Sequence, residues 1–275
     1  MRSASATRAS LERRIGSYGE RAMVAFSGGV DSSLVVALAA RALGEHAVTA
    51  VTAISPSYPA GELELARRTA SDLGVAHRTV RTREIEREAY ARNDEMRCYH
   101  CKAELYAVLA GVASSAGPGV AVLAGANADD LDEFRPGLWA GERAGIRNPL
   151  LEERVGKAVV REIARELGLR VSGKPALACL SSRVALGIRI TPELLERIDA
   201  AEREVRGLGF ELVRVRHHDN AATIEVEPDE VERLRGHPNL DATLAAIRAL
   251  GWASVEVDPD GYRSGSAVLV PVLHV

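Results

Sequence analysis

Seven residues, Ser27-Gly28-Gly29-Val30-Asp31-Ser32-Ser33, join an apolar run at Met23–Phe26 to a helix-period segment at Ser32–Leu43. This junction restricts the fold more than any other stretch of the chain. A buried strand that turns through two glycines straight into a helix opens a βαβ crossover. The pattern then recurs. Strands are predicted at Ala47–Ile54, Ala76–Val80 and Val120–Ala124, and helices at Glu62–Leu73, Lys102–Val112 and Val155–Leu167. Short strands alternating with longer helices build a parallel sheet, so the first part of the chain reads as α/β.

After about residue 190 the pattern changes. Thr191-Pro192-Glu193 reads as a helix start, with a threonine N-cap, proline at the first helical position and an acid in the first turn. That helix should run to Arg206. Phe210–Val215 and Thr223–Val226 read as paired strands, with His217–Asn220 in the turn between them and both His217 and His218 exposed to solvent. Helices at Pro228–Leu234 and Leu240–Leu250 and a strand at Ala253–Val257 complete a small α+β unit. Gly173–Arg189 is the connecting loop. The expected division is residues 1–180 and 181–275, consistent with two modest domains in 275 residues.

The composition is that of a globular protein, with 47% hydrophobic and 27% charged residues. A balance of 35 Lys+Arg against 38 Asp+Glu, net −3, argues against a nucleic-acid partner. Only three of those cations are lysines: Lys102, Lys157 and Lys174. The segment Met1–Glu20 lacks the apolar core of a signal peptide. The longest strictly apolar run, Leu34–Ala40, is far short of the ~20 residues of a membrane span. A cytoplasmic protein with no membrane partner is therefore expected, and the N-terminal Ala/Ser/Arg stretch is the segment expected to lack order.

The loop's chemistry is that of an anion site. Glycines let the backbone approach a ligand, and the helix start offers N–H groups and positive potential. Ser27, Ser32 and Ser33 add hydroxyls. Asp31 makes sense beside phosphates if a cation such as Mg²⁺ is present. No Walker A motif occurs, so the loop brings no lysine to the phosphates. An ordinary glycine-rich turn is the plain alternative. The string SGGVDS resembles the PP-loop of the ATP pyrophosphatases, whose fold is the adenine nucleotide alpha hydrolase-like parallel sheet flanked by helices. The resemblance implies that ATP is cleaved between its α- and β-phosphates. It also implies that Ser27, Gly28, Gly29, Asp31, Ser32 and Ser33 hold pyrophosphate and Mg²⁺.

Cys98 and Cys101 stand in RCYHCK at i, i+3, on one face if helical, and Cys179 stands in PALACLSSR. A helix N-terminus with Arg97 and Lys102 nearby would favour thiolates. Three thiolates suit a [4Fe–4S] cluster with one open iron. Zinc would need a fourth ligand, for which His100 is badly placed. Three separate thiols remain the simpler reading.

Together RCYHCK, GANADDLDEFRPG, ERAGIRNPL, PALACLSSR and the late GYRSGS resemble the LarE-type ATP-dependent sulfur transferases, which act in synthesis of the nickel-pincer nucleotide, the lactate racemase cofactor. The likeness runs from about Leu11 to Ser266. It implies that each carboxylate of pyridinium-3,5-biscarboxylic acid mononucleotide is adenylated and then converted to a thiocarboxylate. Family members with a single cysteine, at the Cys179 position, give up its sulfur and keep dehydroalanine. Those with three cysteines hold a [4Fe–4S] cluster that carries the sulfide, and this chain has all three. The implied catalytic group is Cys179, Cys98, Cys101 and Arg183. Sulfide or another sulfur donor is then a partner, and a homo-oligomer is expected.

Asn127 and Asp129, in the turn after the strand at Val120–Ala124, fall where open α/β sheets bind ligands. Asp129 is a candidate to share Mg²⁺ with Asp31, the alternative being an Asx turn or N-cap. By resemblance Ser55 lies near the adenine. Arg214 and Arg216 alternate on one strand and share a face. By resemblance they hold the substrate phosphate, with Glu202 and Glu225 as further substrate-binding positions; solvated arginines are the alternative. Other readings are a PP-loop tRNA thiolase, disfavoured by net charge, and a nucleotide- or metal-binding sensor without catalysis. Amide-forming synthetases share SGGxDS but give no reason for the three cysteines.

Overall fold

The computed structural model describes residues 3–131, 134–175 and 178–263. The chain divides into two compact units. One comprises Met1–Ser55, Ala60–Glu84 and Cys98–Leu177, the other Pro56–Pro59, Ile85–Arg97 and Ala178–Val275.

In chain order the first unit contains α1 (Ala4–Gly16), β1 (Arg21–Ala25), α2 (Val30–Leu43), β2 (Val48–Ile54), α3 (Glu62–Asp72) and β3 (Ala76–Arg81). After α4 (Glu88–Ala91), which belongs to the second unit, come α5 (Arg97–Ser115), β4 (Val120–Leu123), α6 (Pro136–Arg143), α7 (Pro149–Glu152) and α8 (Lys157–Glu166). The four strands are parallel in the order β3-β2-β1-β4. Alternate residues of β1 feed opposite faces. Ala22 and Val24 pack with Leu34, Leu38, Val160 and Ile163, and Met23 packs with Val51, Tyr106 and Leu109. Both faces of the sheet are covered, as a parallel sheet requires. The order turns back between β1 and β4, so the crevice where ligands bind in such folds lies beyond the C-terminal ends of these two strands.

The N-terminal stretch, expected to lack order, is α1. The Ser3 hydroxyl accepts from the Ala6 amide at 3.2 Å as its N-cap. Leu11 and Ile15, one turn apart, are buried against the core that α2 and α8 also line. Ala4 is buried with them, and Ser10 and Arg14 both donate to Glu153 at 2.8 Å.

The second unit continues with α9 (Pro192–Arg206), β5 (Val213–His218), β6 (Ala221–Val226), α10 (Val231–Arg235), α11 (Leu240–Ala249) and β7 (Ser254–Val257). β5 and β6 are antiparallel, and β6 and β7 parallel. The Thr191 hydroxyl accepts from the Leu194 amide, as the predicted N-cap of α9. The histidines correct the sequence reading. His217 and His218 end β5 instead of lying in the turn, and His217 is buried. Trp252 Nε1 donates to His217 Nδ1 at 2.9 Å, which shields the ring. The turn is only Asp219-Asn220, with Asp219 at φ +49. Of the late motif GYRSGS, Ser264, Gly265 and Ser266 lie outside the described residues, as do Asp132, Glu133, Ala176 and Leu177 of the earlier motifs.

Candidate active site

β1 leads through Phe26 into the loop. Gly28 takes φ +79, a conformation suited to glycine, and a Cβ there would lie 3.2 Å from Ala66 Cβ. Gly29 is the N-cap of α2, and among the described residues no side chain caps that helix end. The helix starts two residues earlier than its apolar pattern predicts, which puts Asp31, Ser32 and Ser33 in its first turn. An open helix end presents amide donors and positive potential to an anion. The Ser32 hydroxyl donates to the Gly29 carbonyl at 3.1 Å, and the Ser27 hydroxyl accepts from the Gly29 amide at 3.3 Å, so these serines brace the loop itself. Ser33 is fully buried, with no hydrogen-bond partner for its hydroxyl among the described residues.

The opposite wall is the turn after β4. A Cβ on Gly125 would lie 2.8 Å from the Ser32 amide nitrogen and 3.0 Å from the Asp31 carbonyl carbon, so only glycine lets the two loops meet. Asn127 Nδ2 donates to Asp31 Oδ1 at 3.3 Å, and Asn127 Oδ1 accepts from the Asp129 amide at 3.0 Å. Asp129 Oδ2 accepts from the backbone amide of Lys157, the first residue of α8, at 2.9 Å. The Lys157 ammonium reaches back to Asp31 Oδ2. Asp31, Asn127, Asp129 and Lys157 thus form one connected cluster beside the loop. Just past β2, at the same edge of the sheet, the Ser55 hydroxyl donates to Glu84 Oε1 at 2.5 Å.

In the second unit Cys179 is the N-cap of a 3₁₀ turn, Leu180–Arg183, and is partly exposed. The turn behind it is buried and tied on several sides. The Leu180 amide donates to the Ser57 carbonyl at 2.8 Å. The Ser181 hydroxyl lies 2.5 Å from the Tyr90 hydroxyl. Arg97 Nη1 donates to the Ser181 carbonyl at 2.9 Å and to Asn93 Oδ1 at 2.6 Å. Val184 bridges to His217 at the edge of β5. The sulfur therefore sits on a backbone that has little room to move.

Arg183 is 2% exposed and Glu202 0%. Arg183 Nε and Nη2 donate to the two Glu202 oxygens at 2.8 and 3.3 Å, while Nη1 donates to the Ala178 and Cys179 carbonyls at 2.9 and 3.0 Å. Glu202 also accepts from Arg206 at 2.7 Å and from the Val215 amide at 3.2 Å. Burial disfavours the Glu202 carboxylate, yet Arg183, Arg206 and Arg214 together hold its pKa below the ordinary value. Arg214 and Arg216 are both buried rather than solvated. Arg216 contacts Glu225 Oε2 at 2.9 Å and the Ser182 carbonyl at 2.8 Å. Arg214 lies over the Tyr262 ring, 5.5 Å from its centroid. Burial, with Arg183 nearby, lowers the Arg214 pKa to about 10.

Known proteins give this arrangement a context. Residues 4–131 match the asparagine synthase family, the part of the chain that carries the glycine loop. Over 246 residues the chain is 42% identical to an uncharacterized protein of Synechocystis sp., covering 90% of this chain and 91% of that protein. It is 35% identical to the pyridinium-3,5-bisthiocarboxylic acid mononucleotide synthase of Lactiplantibacillus plantarum, covering 90% and 88%. An uncharacterized protein of Methanocaldococcus jannaschii is 31% identical over 89% and 92%. The chain belongs to the family of the bisthiocarboxylic acid mononucleotide synthase. Membership in that family, together with the PP-loop match, supports an ATP-using enzyme.

Within this family member the structure gathers Ser27, Gly28, Gly29, Asp31, Ser32, Asn127 and Asp129 at one crevice, and Arg183, Glu202, Arg214, Arg216 and Glu225 in one network behind and beside Cys179. Asp31 and Asp129 with the Asn127 amide are oxygen donors of the kind Mg²⁺ takes alongside phosphates. Cys98 and Cys101 lie in the first turns of α5, in the first unit, and Cys179 lies in the second. Among the described residues no three His, Cys, Asp or Glu side chains are grouped as metal ligands. No helix among them is long and apolar enough to cross a membrane. Sequence reasoning missed Lys157 as a site residue. Its signal was rarity: a lysine in a chain that otherwise writes its cations as arginine.

Proposed function

We propose that this chain is an ATP-dependent sulfur transferase acting on pyridinium-3,5-biscarboxylic acid mononucleotide, as the product name of its 35% identical relative suggests. The observation that carries the reading is the start of α2, where no side chain among the described residues caps the helix and Asp31 in its first turn meets Asn127 of the loop after β4 and Lys157 of α8. A substrate carboxylate oxygen bonds to the α-phosphorus of ATP while the bond to the β-phosphate bridge breaks, and pyrophosphate leaves. A sulfur nucleophile then attacks the acyl carbon and AMP departs, leaving a thiocarboxylate. Ser27, Gly28, Gly29 and Ser32 bind the phosphates, the fully buried Ser33 lies behind them with its amide bonded to the Gly29 carbonyl, Asp31 and Asp129 hold Mg²⁺, and Asn127 and Ser55 complete the nucleotide site. Arg214 and Arg216, with Glu202 and Glu225 fixing the network, receive the substrate's phosphate. Arg183 positions the Cys179 turn.

Cys98, Cys101 and Cys179 are the three thiols that a site-differentiated [4Fe–4S] cluster takes, and such a cluster supplies an open iron for an added sulfide. Support for it is the donor set alone. Anaerobic purification with iron and sulfide counting tests it. Stoichiometric iron, with repeated turnover when sulfide is supplied, is expected. An iron-free protein that loses one H₂S from Cys179 per turnover would replace the cluster by sacrifice of the cysteine. Pyrophosphate release that requires the dicarboxylate nucleotide tests the activity itself. Release on tRNA instead would make the chain a tRNA thiolase, and ATP binding without any release would make it a sensor.

A further inference from the structure

We propose that Lys157 is the phosphate lysine that the loop's own sequence lacks, a catalytic residue that exchanges Asp31 for the β-phosphate of ATP. The inference rests on the reading of the crevice as an ATP site. Asp31 is flanked by the Lys157 ammonium on one carboxylate oxygen and the Asn127 amide on the other. Both charged side chains remain accessible, with Lys157 30% and Asp31 23% exposed. An ion pair this open to water is weak and separates readily when a stronger partner arrives.

The root of Lys157 is fixed even though its tip is not. Its backbone amide is held by Asp129 Oδ2 at 2.9 Å, and the preceding Gly156 has no room for a side chain, since a Cβ would lie 2.6 Å from Asp129 Oδ1. A four-carbon stem on an anchored helix start can swing between Asp31 and phosphates bound at the adjacent α2 end. A compact ammonium suits such an exchange better than a planar guanidinium, and the chain places one of its three lysines here. During adenylation the electron pair of the breaking P–O bond leaves with pyrophosphate. A cation at that oxygen stabilises the charge as it develops. Once Lys157 has moved, the Asp31 carboxylate is left open to a divalent cation.

The test is calorimetric binding of inorganic pyrophosphate in EDTA to the full chain and to Lys157→Met, Asp31→Asn and the double variant, with thermal unfolding as a fold check. Lys157→Gln serves as the second variant should the apolar one misfold. Lys157→Met should weaken binding by about ten-fold or more, the size of one charge-assisted hydrogen bond. Asp31→Asn should tighten it, because it removes a competing anion. The double variant should bind as weakly as Lys157→Met. A lysine that only neutralises Asp31 gives a different pattern: the double variant recovers to the Asp31→Asn level. That recovery, or Lys157→Met binding within about two-fold of the parent, overturns the role of Lys157 while leaving the ATP site intact. A parent chain that binds neither pyrophosphate nor ATP overturns both.

Discussion

Replacing Glu202 by Gln should cost the second unit far more than a surface substitution would. The carboxylate is 0% exposed and answers Arg183, itself 2% exposed, through two contacts, along with Arg206 and the Val215 amide. The amide keeps the shape but leaves the Arg183 guanidinium buried without its counterion. Breaking one side of such a pair costs about 3–5 kcal/mol, which corresponds to a fall in Tm of roughly 10 °C or more. The readout is urea unfolding followed by Trp252, which is buried in this unit, in a Trp139→Phe background that removes the other, exposed tryptophan. Arg183→Met should cost a similar amount. The double variant Arg183→Met/Glu202→Gln should cost less than the two single changes added together, by ~1–3 kcal/mol of coupling. The sign with pH follows from the lowered Glu202 pKa. The contribution is complete above the unfolded value of 4.5 and is lost as pH falls below it. A Glu202→Gln cost under about 1 kcal/mol, or simple additivity, would refute the idea that this pair organises the Cys179 turn.

Two further outcomes follow from other contacts. Gly125→Ala places a methyl 2.8 Å from the Ser32 amide nitrogen; it should cost about 1–3 kcal/mol in thermal unfolding and weaken ATP binding more than ten-fold by calorimetry, about 1.4 kcal/mol. His217 and His218 have pKa values lowered by burial, with Arg197 beside the first and Arg216 beside the second. Both are therefore neutral in the fold, and stability should decline as pH falls through 6.5 toward the lowered values, a slope that His217→Phe reduces in urea titrations at pH 5 to 7.

What could be read in the sequence was what is local. Two glycines between a strand and a helix, alternating elements, and a threonine–proline helix start each act within a few residues, and each appears where the residues point. What could not be read was long-range. Lys157 lies 126 positions from Asp31, and no periodicity links them. Asn93 is another case. It sits in a loop at φ +58, fully buried, and donates to the carbonyls of Ala185 and Ile188 at 2.7 and 3.0 Å. Its segment therefore joins the second unit although it precedes α5. Arginine burial was equally hidden. Alternation placed Arg214 and Arg216 on one face, but only the pairing of β5 with β6 sets Glu225 opposite Arg214 and within diagonal reach of Arg216. The histidines were misplaced because nothing near them in sequence announces Trp252.

The two units use charge in opposite ways, and salt should separate them. At the loop after β1 the ion pair is accessible and the helix end open, so attraction for a polyanion acts through water and is screened. The Debye length shrinks from about 10 Å at 0.1 M salt to about 3 Å at 1 M, and ATP-analogue binding should weaken steeply over that range. Around Cys179 the pairs Arg183–Glu202 and Arg216–Glu225 are buried and exchange nothing with solvent ions, so urea unfolding of the second unit should barely respond. Each arrangement suits its task. On the function proposed above, a site that admits ATP and releases pyrophosphate needs charges that can change partners, whereas a sulfur delivered to an activated acyl carbon needs a backbone that holds still. Equal salt sensitivity in the two measurements would mean that the buried network is hydrated and that the Cys179 turn is not held by it.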